Sequence, residues 1–407
     1  MKNPFKISFE SLEEFVDVVS QQLQCPITIE DANHRLLAYS THDERTDPAR
    51  IATIIGRRVP EKVINQLWKE GTIPALLKTK EPIRIKSMDE IGLGNRVAIS
   101  IWKQDEVIGF IWALEIDKCL SENEMGLLKN AAEAGKNELL QLHVRKRKNE
   151  NRSQEFFWQL LTGHLKVPET INEQFQALKI TPSPCYAVIV FKFLHGITRK
   201  EEQQIYYLLK TSQHLKTMLH TVDFNQLILL VAVPKVDKPL DELNHFITSF
   251  TGKLLERYKI TEVQVGASSI FEDYQQMKRA YQESLTVLSI KEKFSAETQS
   301  IFYYQKLGIY QLFDVILEKY KNEGYENQSL KKLHLYDKKH NSNLAKTLKV
   351  YLDNDTNISE TTKELVIHPN TLTYRLKRIS EIGDIDFKDP NQKMMLYLDG
   401  KLEKYLR

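Results

Sequence analysis

The residues whose types and spacing are most suggestive of chemistry lie near the C-terminal end, between Asn357 and Ile379. Their pattern predicts two short helices joined by a tight turn. Asn357 can accept a hydrogen bond from an otherwise unused backbone N–H, and Glu360 is placed to complete a capping box. Pro369 suits the first position of the second helix, because the N–H that proline lacks would have no helical partner there.

Each predicted helix has one apolar face and one polar face. The apolar positions are Ile358, Leu365 and Val366 in the first helix, and Leu372, Leu376 and Ile379 in the second. The polar positions are of types that contact DNA base edges and phosphates, namely Asn357, Ser359, Thr361, His368, Asn370, Thr371, Thr373, Tyr374, Arg375, Lys377 and Arg378. We therefore predict a helix-turn-helix that reads double-stranded DNA. An amphipathic hairpin with merely solvated charges would show a similar pattern.

The run NISETTKELVIHPNTLTYRLKRI resembles the C-terminal helix-turn-helix of PucR/CdaR-type bacterial transcriptional regulators. The matching positions are Asn357, Ile358, Ser359, Leu365, His368, Asn370, Thr371, Leu372, Tyr374, Arg375, Leu376 and Arg378. The sequence departs at Thr362, where the family usually has alanine, and we expect a small packing cost there. The resemblance is specific over residues 342–404. It implies a transcription regulator whose partners are duplex DNA and RNA polymerase.

The composition is that of a multidomain protein with packed cores. The chain has 407 residues, of which 42% are apolar, so two to four domains are expected. A net charge of +3 neither requires nor excludes nucleic acid. The longest apolar runs, such as Leu227–Val233, are too short to cross a membrane. Three widely spaced cysteines suggest free thiols, and we expect a soluble, cytoplasmic protein.

The first part of the chain has the element order of an antiparallel α+β domain. Helices are predicted in residues 1–20 and Glu61–Glu70, and strands at Pro26–Glu30, Arg35–Tyr39, Pro82–Lys86, Arg96–Trp102 and Glu106–Glu115. This order is close to that of a GAF or PAS sensory fold, and we predict a GAF-like sensory domain over residues 1–120. A linking helix over 121–167 would begin with a capping box between Ser121 and Glu124. It contains the basic run Arg145–Lys148, which is more typical of a solvated helix face than of a nucleic-acid patch.

Residues 168–305 have the element order of a degenerate nucleotide-cyclase-like α/β domain. Strands are predicted at Tyr186–Phe193, Thr221–Phe224, Gln226–Val233 and Val263–Ala267, and helices at Lys200–Leu219 and Leu240–Tyr258. The hairpin tip Asp223–Gln226 has neither the glycine pair nor the acidic pair that catalysis would need. The segment VGASSIFEDYQQMKRAYQESLTVL resembles the one that precedes the DNA reader in the PucR-type family. A helix at Gly308–Tyr320 and a polar hinge would complete residues 306–341, before a DNA-binding domain at 342–407.

These patterns favour a regulator over an enzyme. No catalytic motif, metal-ligand spacing or cofactor fingerprint is present in the sequence, so we expect no catalytic residues, metal or cofactor. The alternatives are a signalling enzyme of the nucleotide-cyclase-like class with an attached DNA-binding module, and an effector-free nucleoid binder. Because one small reader domain seldom gives enough specificity, we expect a homodimer or higher even oligomer, with the helix from Ser121 as the pairing element.

The effector is expected to be a small metabolite bound by the sensory domain. The size and front half of the chain resemble the Bacillus-type members that activate amino-acid utilisation genes, such as the proline- and alanine-responsive activators. That resemblance implies an activator of a catabolic operon controlled by an amino acid. Arg96 could bind the carboxylate, close to Trp102 and Trp112. The other interpretation is that both tryptophans belong to the core and Arg96 is a surface cation.

Overall fold

The computed structural model describes Phe5, Phe9 and residues 11–40, 46–212 and 214–406, without the side chains of 141–148, 296 and 404–406. The chain divides into two compact units, Met1–Lys306 and Leu307–Arg407. The basic run Arg145–Lys148 lies on a helix, but its side chains fall outside the described part.

The first unit contains two antiparallel sheets and their helices. The helices are α1 Leu12–Leu23, α2 Pro48–Gly56, α3 Glu61–Lys69, α4 Thr72–Leu76, α5 Glu122–Thr162, α6 Pro168–Ala177, α7 Arg199–Thr211, α8 Pro239–Tyr258, α9 Met277–Lys293 and α10 Ser295–Thr298. The strands are β1 Ile27–Asp31, β2 Leu36–Tyr39, β3 Ile83–Ile85, β4 Arg96–Lys103, β5 Glu106–Leu114, β6 Tyr186–Lys192, β7 Thr217–Asp223, β8 Gln226–Ala232 and β9 Gln264–Ala267.

The front sheet has the strand order β2-β1-β5-β4-β3 and is covered on both faces. Side chains alternate between the two faces, so Ile111 of β5 packs with α1 and α5, whereas Phe110 and Trp112 pack with α2, α3 and α4. The mixed helix-and-sheet architecture agrees with the α+β prediction. The first helix begins at Leu12 because the Ser11 hydroxyl accepts from the backbone N–H of Glu14 at 3.2 Å.

The second sheet has the order β7-β8-β6-β9. Helices α7 and α8 cover one face, and α6, α9 and the end of α5 cover the other. Gly266 of β9 permits a close approach of α9, because a Cβ atom there would overlap the carbonyl oxygen of Ser284. The Ser284 hydroxyl donates at 2.9 Å to the carbonyl of Val188 in β6. These contacts explain why a glycine and small hydroxyl residues occur in the segment that resembles the family.

Helix α5 joins the two sheets as one continuous element of 41 residues. Its capping box is formed as predicted, with the Ser121 hydroxyl and the Glu124 carboxylate each accepting from the other's backbone N–H. The first half packs on the front sheet through Leu128 and Leu139, and the last turns pack on the second sheet through Phe157 and Leu161. The helix is therefore buried at both ends within its own chain.

Several predicted boundaries differ from the structure, and two helices illustrate why. The helix expected over Lys200–Leu219 ends at Thr211, and strand β7 begins at Thr217. The apolar residues of β7 prolong the helical pattern in the sequence, but Thr217 pairs with Val231 of β8. The helix expected over Gly308–Tyr320 begins as a 3₁₀ turn at Gly308–Leu312 and becomes α-helical at Phe313.

The C-terminal unit is all-helical, as predicted. After the 3₁₀ turn, its helices are α11 Phe313–Glu323, α12 Gln328–His340, α13 Leu344–Asp353, α14 Ile358–Leu365, α15 Pro369–Gly383 and α16 Pro390–Leu406. The polar stretch expected as a hinge before residue 342 instead contains α12. Its Leu330 and Leu333 lie in the same core as Leu348 and Ile379. The stretch looked like a linker because α12 buries only this narrow stripe.

Candidate nucleic-acid interface and sensory cavity

Helices α14 and α15 and the turn between them form the predicted two-helix motif. The Asn357 side chain accepts from the backbone N–H of Glu360 at 3.2 Å, as expected of an N-cap. The Glu360 carboxylate is paired with Lys363 at 2.9 Å rather than with the N-cap backbone. The turn begins at Val366, which adopts a left-handed conformation with φ of 53°. This backbone conformation ends α14 and allows the sharp change of direction into α15.

The two-helix motif also corrects three sequence expectations. Val366 was expected in the core but is 88% exposed, because its left-handed backbone directs it away from the helix face. Ile358 was also expected on the apolar face, but it is 46% exposed because it lies in the first turn of α14. Thr361 was a candidate DNA contact but is fully buried, and its hydroxyl donates to the carbonyl of Asn357 at 2.6 Å. Thr361 therefore cannot reach a phosphate or a base.

The outer face of α15 carries a continuous row of exposed polar side chains. Asn370, Thr373, Tyr374 and Lys377 follow the spacing of one helical face, and Tyr374 is 65% exposed. Thr371 is exposed beside them. These side chains offer amide and hydroxyl groups to base edges and one cation to a phosphate. On the opposite side, Leu372 and Ile379 are fully buried and Leu376 is partly buried, as predicted.

Two predicted arginine contacts are held within the domain instead of standing free on α15. Arg375 donates to the Thr347 hydroxyl of α13 at 3.1 Å. Arg378 donates to the Tyr336 hydroxyl of α12 at 3.1 Å and pairs with Glu381 at 2.8 Å. These bonds attach α15 to α12 and α13. They fix the helix orientation whether or not the remaining guanidinium N–H groups also contact DNA.

The remaining candidates lie at the helix starts. His368 is exposed, and its Nδ1 atom accepts from the backbone N–H of Asn370 at 3.2 Å. Asn357 and Ser359 are exposed at the start of α14. Helix N-termini present unpaired backbone N–H groups and the positive end of the helix dipole, both of which favour a phosphate.

Two acidic residues that the sequence did not single out, the half-buried Asp337 and the buried Asp399, hold the domain around this motif. The Asp337 carboxylate at the end of α12 accepts from the backbone N–H groups of Leu344 and Ala345 at 2.8 and 2.9 Å, and so caps α13. Asp399 of α16 is 3% exposed and accepts from the Tyr320 hydroxyl at 3.0 Å. In the sequence, only the unfavourable position of a carboxylate among apolar helix residues could have indicated Asp399.

The front domain contains a buried polar cavity between its sheet and helices α2 and α3. Its volume is about 20 Å³, which is room for about one water molecule. The cavity is lined by Thr28, Glu30, Ala49, Arg50, Thr53, Val59, Val63, Leu67, Leu93, Arg96, Trp112 and Leu114. Two of the three predicted effector residues, Arg96 and Trp112, therefore lie together on it.

Trp102 does not belong to this cavity. It pairs with Val107 near the β4–β5 turn, whereas Arg96 pairs with Leu114 at the other end of the hairpin. Six residues of strand separate Trp102 from Arg96 by about 20 Å, at roughly 3.3 Å per residue. The ammonium of Lys80 lies 5.7 Å from the centroid of the Trp102 ring. The prediction overlooked this distance because it considered composition and not the position along the strand.

The two arginines of the cavity differ in their partners. Arg96 forms an ion pair with Asp47, the N-cap residue of α2, and is not the surface cation of the alternative interpretation. Arg50 donates through Nη1 to the carbonyl of Ile27 at 3.0 Å and through Nη2 to that of Ser40 at 3.2 Å. Among the described residues, no carboxylate forms an ion pair with Arg50. Burial, and then the neighbouring Arg96, lower the pKa of Arg50 to about 10, so it stays charged at neutral pH.

Two buried donors on the cavity wall have no partner in the described part of the chain. They are the Nε group of Arg50 and the indole Nε1 group of Trp112, and the two residues are each only 4% exposed. A buried donor left unpaired costs about 1–3 kcal/mol. Glu30 lies on the same wall, 3% exposed, with its Oε2 atom 2.9 Å from Nδ1 of His34. The cavity thus combines unused donors with a buried carboxylate.

The C-terminal motif defines a DNA-binding domain of the helix-turn-helix class, and sequence comparisons agree. Residues 344–402 match the PucR C-terminal helix-turn-helix domain, and residues 162–290 match a GGDEF-like domain. The chain is 52% identical to the DNA-binding transcriptional activator AdeR of Bacillus subtilis over 98% of this chain and 94% of that protein. It belongs to the PucR family of DNA-binding transcriptional regulators.

More distant relatives are also named as transcriptional activators or regulatory proteins. The proline-responsive transcriptional activator PutR of Bacillus subtilis is 26% identical over 98% of this chain and 97% of its own. The purine catabolism regulatory protein of the same organism is 23% identical over 63% of this chain and 45% of its own. A crystal structure of a regulator of polyketide synthase expression from Bifidobacterium adolescentis matches with a TM-score of 0.27, too low to support any inference.

The GGDEF-like domain has an unusual hairpin tip between β7 and β8. Phe224 is 78% exposed with φ of 49°, and the Asn225 side chain donates to the carbonyl of Phe193 at 2.9 Å. Among the described residues, no group of three or more acidic, histidine or cysteine side chains is placed to hold a metal ion. Within the same residues, no helix is long and apolar enough to cross a membrane.

Proposed function

We propose that this regulator activates a catabolic operon in response to a small metabolite, an amino acid. The observation that carries the proposal is the exposed row Asn370, Thr373, Tyr374 and Lys377 on a helix whose other side is buried in a helix-turn-helix domain. The names of AdeR and PutR, both transcriptional activators and one of them proline-responsive, support activation and an amino-acid effector. The GAF-like front domain, with its polar cavity, is the proposed effector-binding part.

Transcription control without catalysis is the better of the two candidate functions. A cyclase-like signalling enzyme would need metal-binding carboxylates and a glycine-rich hairpin tip in the GGDEF-like domain. Here the tip residues are Phe224 and Asn225, and the Asn225 side chain holds the tip to Phe193, the residue that follows β6. The domain is proposed to connect sensor and reader, with no cofactor of its own.

The proposed partners are double-stranded DNA, RNA polymerase and a second copy of the chain. A single α15 reaches only a few base pairs, so two copies reading half-sites about one helical turn apart would supply the specificity. Helix α5 packs on both sheets of its own chain, which leaves only its outer side available for pairing. Light scattering of the full chain tests the even oligomer, and a monomeric mass with and without DNA would contradict it.

The experiment that tests the proposed function is selection of bound sequences from a random duplex library by the purified full chain. We expect enrichment of a two-part site, and affinity for that site at least a hundredfold above that for unselected duplex at moderate salt. Adding single amino acids to the binding reaction then tests effector control. Equal affinity for selected and unselected DNA would reject a sequence-reading regulator.

A further inference from the structure

We propose that the cavity of the front domain is the binding site for the α-carboxylate and α-ammonium groups of a small aliphatic amino acid. The inference rests on the proposed function, since it identifies the place and chemistry of the effector. It does not depend on the DNA-binding motif, which lies in the other unit. Three features of the cavity wall carry it: a cation and an indole donor that have, respectively, no anionic and no hydrogen-bonding partner among the described residues, and a buried carboxylate.

The carboxylate of the amino acid is assigned to Arg50 and Trp112. Arg50 is a buried guanidinium whose Nη groups, within the described residues, bind only backbone carbonyls and the Ser40 hydroxyl, so no carboxylate of that part of the chain contacts it. Its Nε group and the Trp112 Nε1 group are both buried and unpaired on the same wall. A ligand carboxylate has two oxygens that can accept from these two donors and can balance the charge.

The ammonium group is assigned to Glu30. Its carboxylate lies on the cavity wall and accepts from Nδ1 of His34. That bond uses one oxygen atom and leaves the negative charge available to a cation. Buried acidic residues are rarely retained unless they are paired, so a ligand ammonium is a fitting partner.

Arg96 is assigned a positioning role, not direct binding. Its guanidinium is held by Asp47, which also caps α2 and accepts from the backbone N–H of Gly94 at 2.9 Å. The pair therefore fixes the start of α2, the helix that carries Arg50.

The size of the cavity limits the side chain and requires movement. The apolar wall is formed by Val59, Val63, Leu67, Leu93 and Leu114, which suits a short aliphatic group and no charge. About 20 Å³ accommodates roughly one water molecule, less than any amino acid. Binding must therefore displace α2 or α3 from the sheet, so that the bound form differs in structure from the one described.

The test is calorimetric titration of the full chain with L-alanine, L-valine, L-proline and L-glutamate, and with propionate and ethylamine as half-ligands. We expect binding of at least one aliphatic amino acid, with propionate and ethylamine at least tenfold weaker and L-glutamate not bound. Trp112→Phe removes only the unpaired donor and part of the ring, and should lower the affinity for that amino acid at least fivefold. Glu30→Gln should lower the affinity for the amino acid and leave the affinity for propionate unchanged.

Trp102→Phe is the matched control, because Trp102 also has a buried unpaired indole N–H but lies outside the cavity. Its affinity for the amino acid should equal that of the wild type. The proposal is overturned if no aliphatic amino acid binds the wild type, or if Trp112→Phe binds it as tightly as Trp102→Phe. Selection of DNA by the same preparations separates the two proposals. Sequence-specific retention without amino-acid binding rejects the cavity assignment and the amino-acid effector, and leaves the DNA-reading function standing.

Discussion

The imidazole Nε2 atom of His34 lies 3.0 Å from the hydroxyl oxygen of Tyr207, which joins the front domain to helix α7 of the GGDEF-like domain. The Tyr207 oxygen also accepts from the Trp68 indole N–H at 2.9 Å. Every group is satisfied if Tyr207 donates to Nε2 of a neutral His34 whose Nδ1–H donates to Glu30. This directional chain runs from the second domain to the cavity carboxylate.

Tyr207→Phe should destabilise the N-terminal unit, because it leaves the Trp68 N–H and the His34 Nε2 atom without partners. Each unpaired buried group costs about 1–3 kcal/mol. The measurement is urea unfolding of the full chain. The control is Tyr258→Phe, since Tyr258 packs on Trp68 with ring centroids 5.5 Å apart but has no hydroxyl hydrogen bond among the described residues. Equal midpoints for the two variants would show that the chain of hydrogen bonds contributes nothing.

Lys377→Ala should weaken DNA binding similarly for all sequences, because we propose that this exposed lysine on the outer face of α15 contacts a phosphate. Removing one phosphate contact should lower the slope of log affinity against log salt by about 0.9. Fluorescence anisotropy at several salt concentrations measures this slope. Lys332→Ala, on α12 outside the helix-turn-helix, is the control and should leave the slope unchanged. An unaltered slope for Lys377→Ala would remove this residue from the interface.

Asn370→Ala should relax the sequence preference. A side-chain amide that reads an adenine edge contributes about 1–3 kcal/mol of discrimination. The selected site should therefore lose its preference at one base pair per half-site while unselected duplex is bound as before. Thr361→Ala is the contrasting variant: Thr361 is fully buried, so its loss should lower stability and leave the preferred sequence intact. A changed sequence preference with unchanged stability in Thr361→Ala would instead place Thr361 at the DNA.

A fragment comprising residues 307–407 should fold and bind DNA, whereas one that starts at residue 342 should not. The shorter fragment lacks Leu330 and Leu333 of the core and the Asp337 carboxylate that caps α13. Circular dichroism with thermal unfolding compares the two. Cooperative unfolding of the shorter fragment at the same temperature would show that α12 is dispensable.

Gly266→Ala should destabilise the second sheet, because the new methyl group would overlap the Ser284 carbonyl of α9. Overpacking of a core costs about 1–3 kcal/mol. The matched change Gly252→Ala, within α8, meets no atom within 4 Å and should stabilise the chain by about 0.5–1 kcal/mol. Denaturant unfolding of both variants gives the comparison. A neutral Gly266→Ala would mean that α9 can shift away from β9.

The elements of the C-terminal motif could be predicted closely because their signals are local. Asn357 and His368 mark helix starts through hydrogen bonds to neighbours three residues away or fewer, and Pro369 marks one because its missing N–H is not needed there. The burial of Thr361 could not be read in this way, since it depends on the packing of α13 and α15 against α14. The role of α12 was also missed because it depends on packing against other helices. In the sequence its two buried leucines stand among lysines, as they would in a linker.

The cavity was predicted only in part. Arg96 and Trp112 were identified from residue type, but Glu30 and Arg50 were not, although both are buried charged groups on the cavity wall. Their importance comes from long-range packing, because β1, β5, α2 and α3 must come together before these side chains are buried. Trp102 shows the converse error, in which a suitable residue type lies on the right strand at the wrong end.

The apolar core that Leu67 shares with Phe246 and Val231 has a consequence for how such regulators can be recombined. Helices α3 and α8 are also joined by the Lys253–Glu61 ion pair and by the Arg257–Asn65 hydrogen bond. The front domain and the GGDEF-like domain must therefore be exchanged together between regulators, since exchange of either alone would expose half of a shared core. A chimera that keeps its architecture should be joined near Leu307, where one compact unit ends and the next begins.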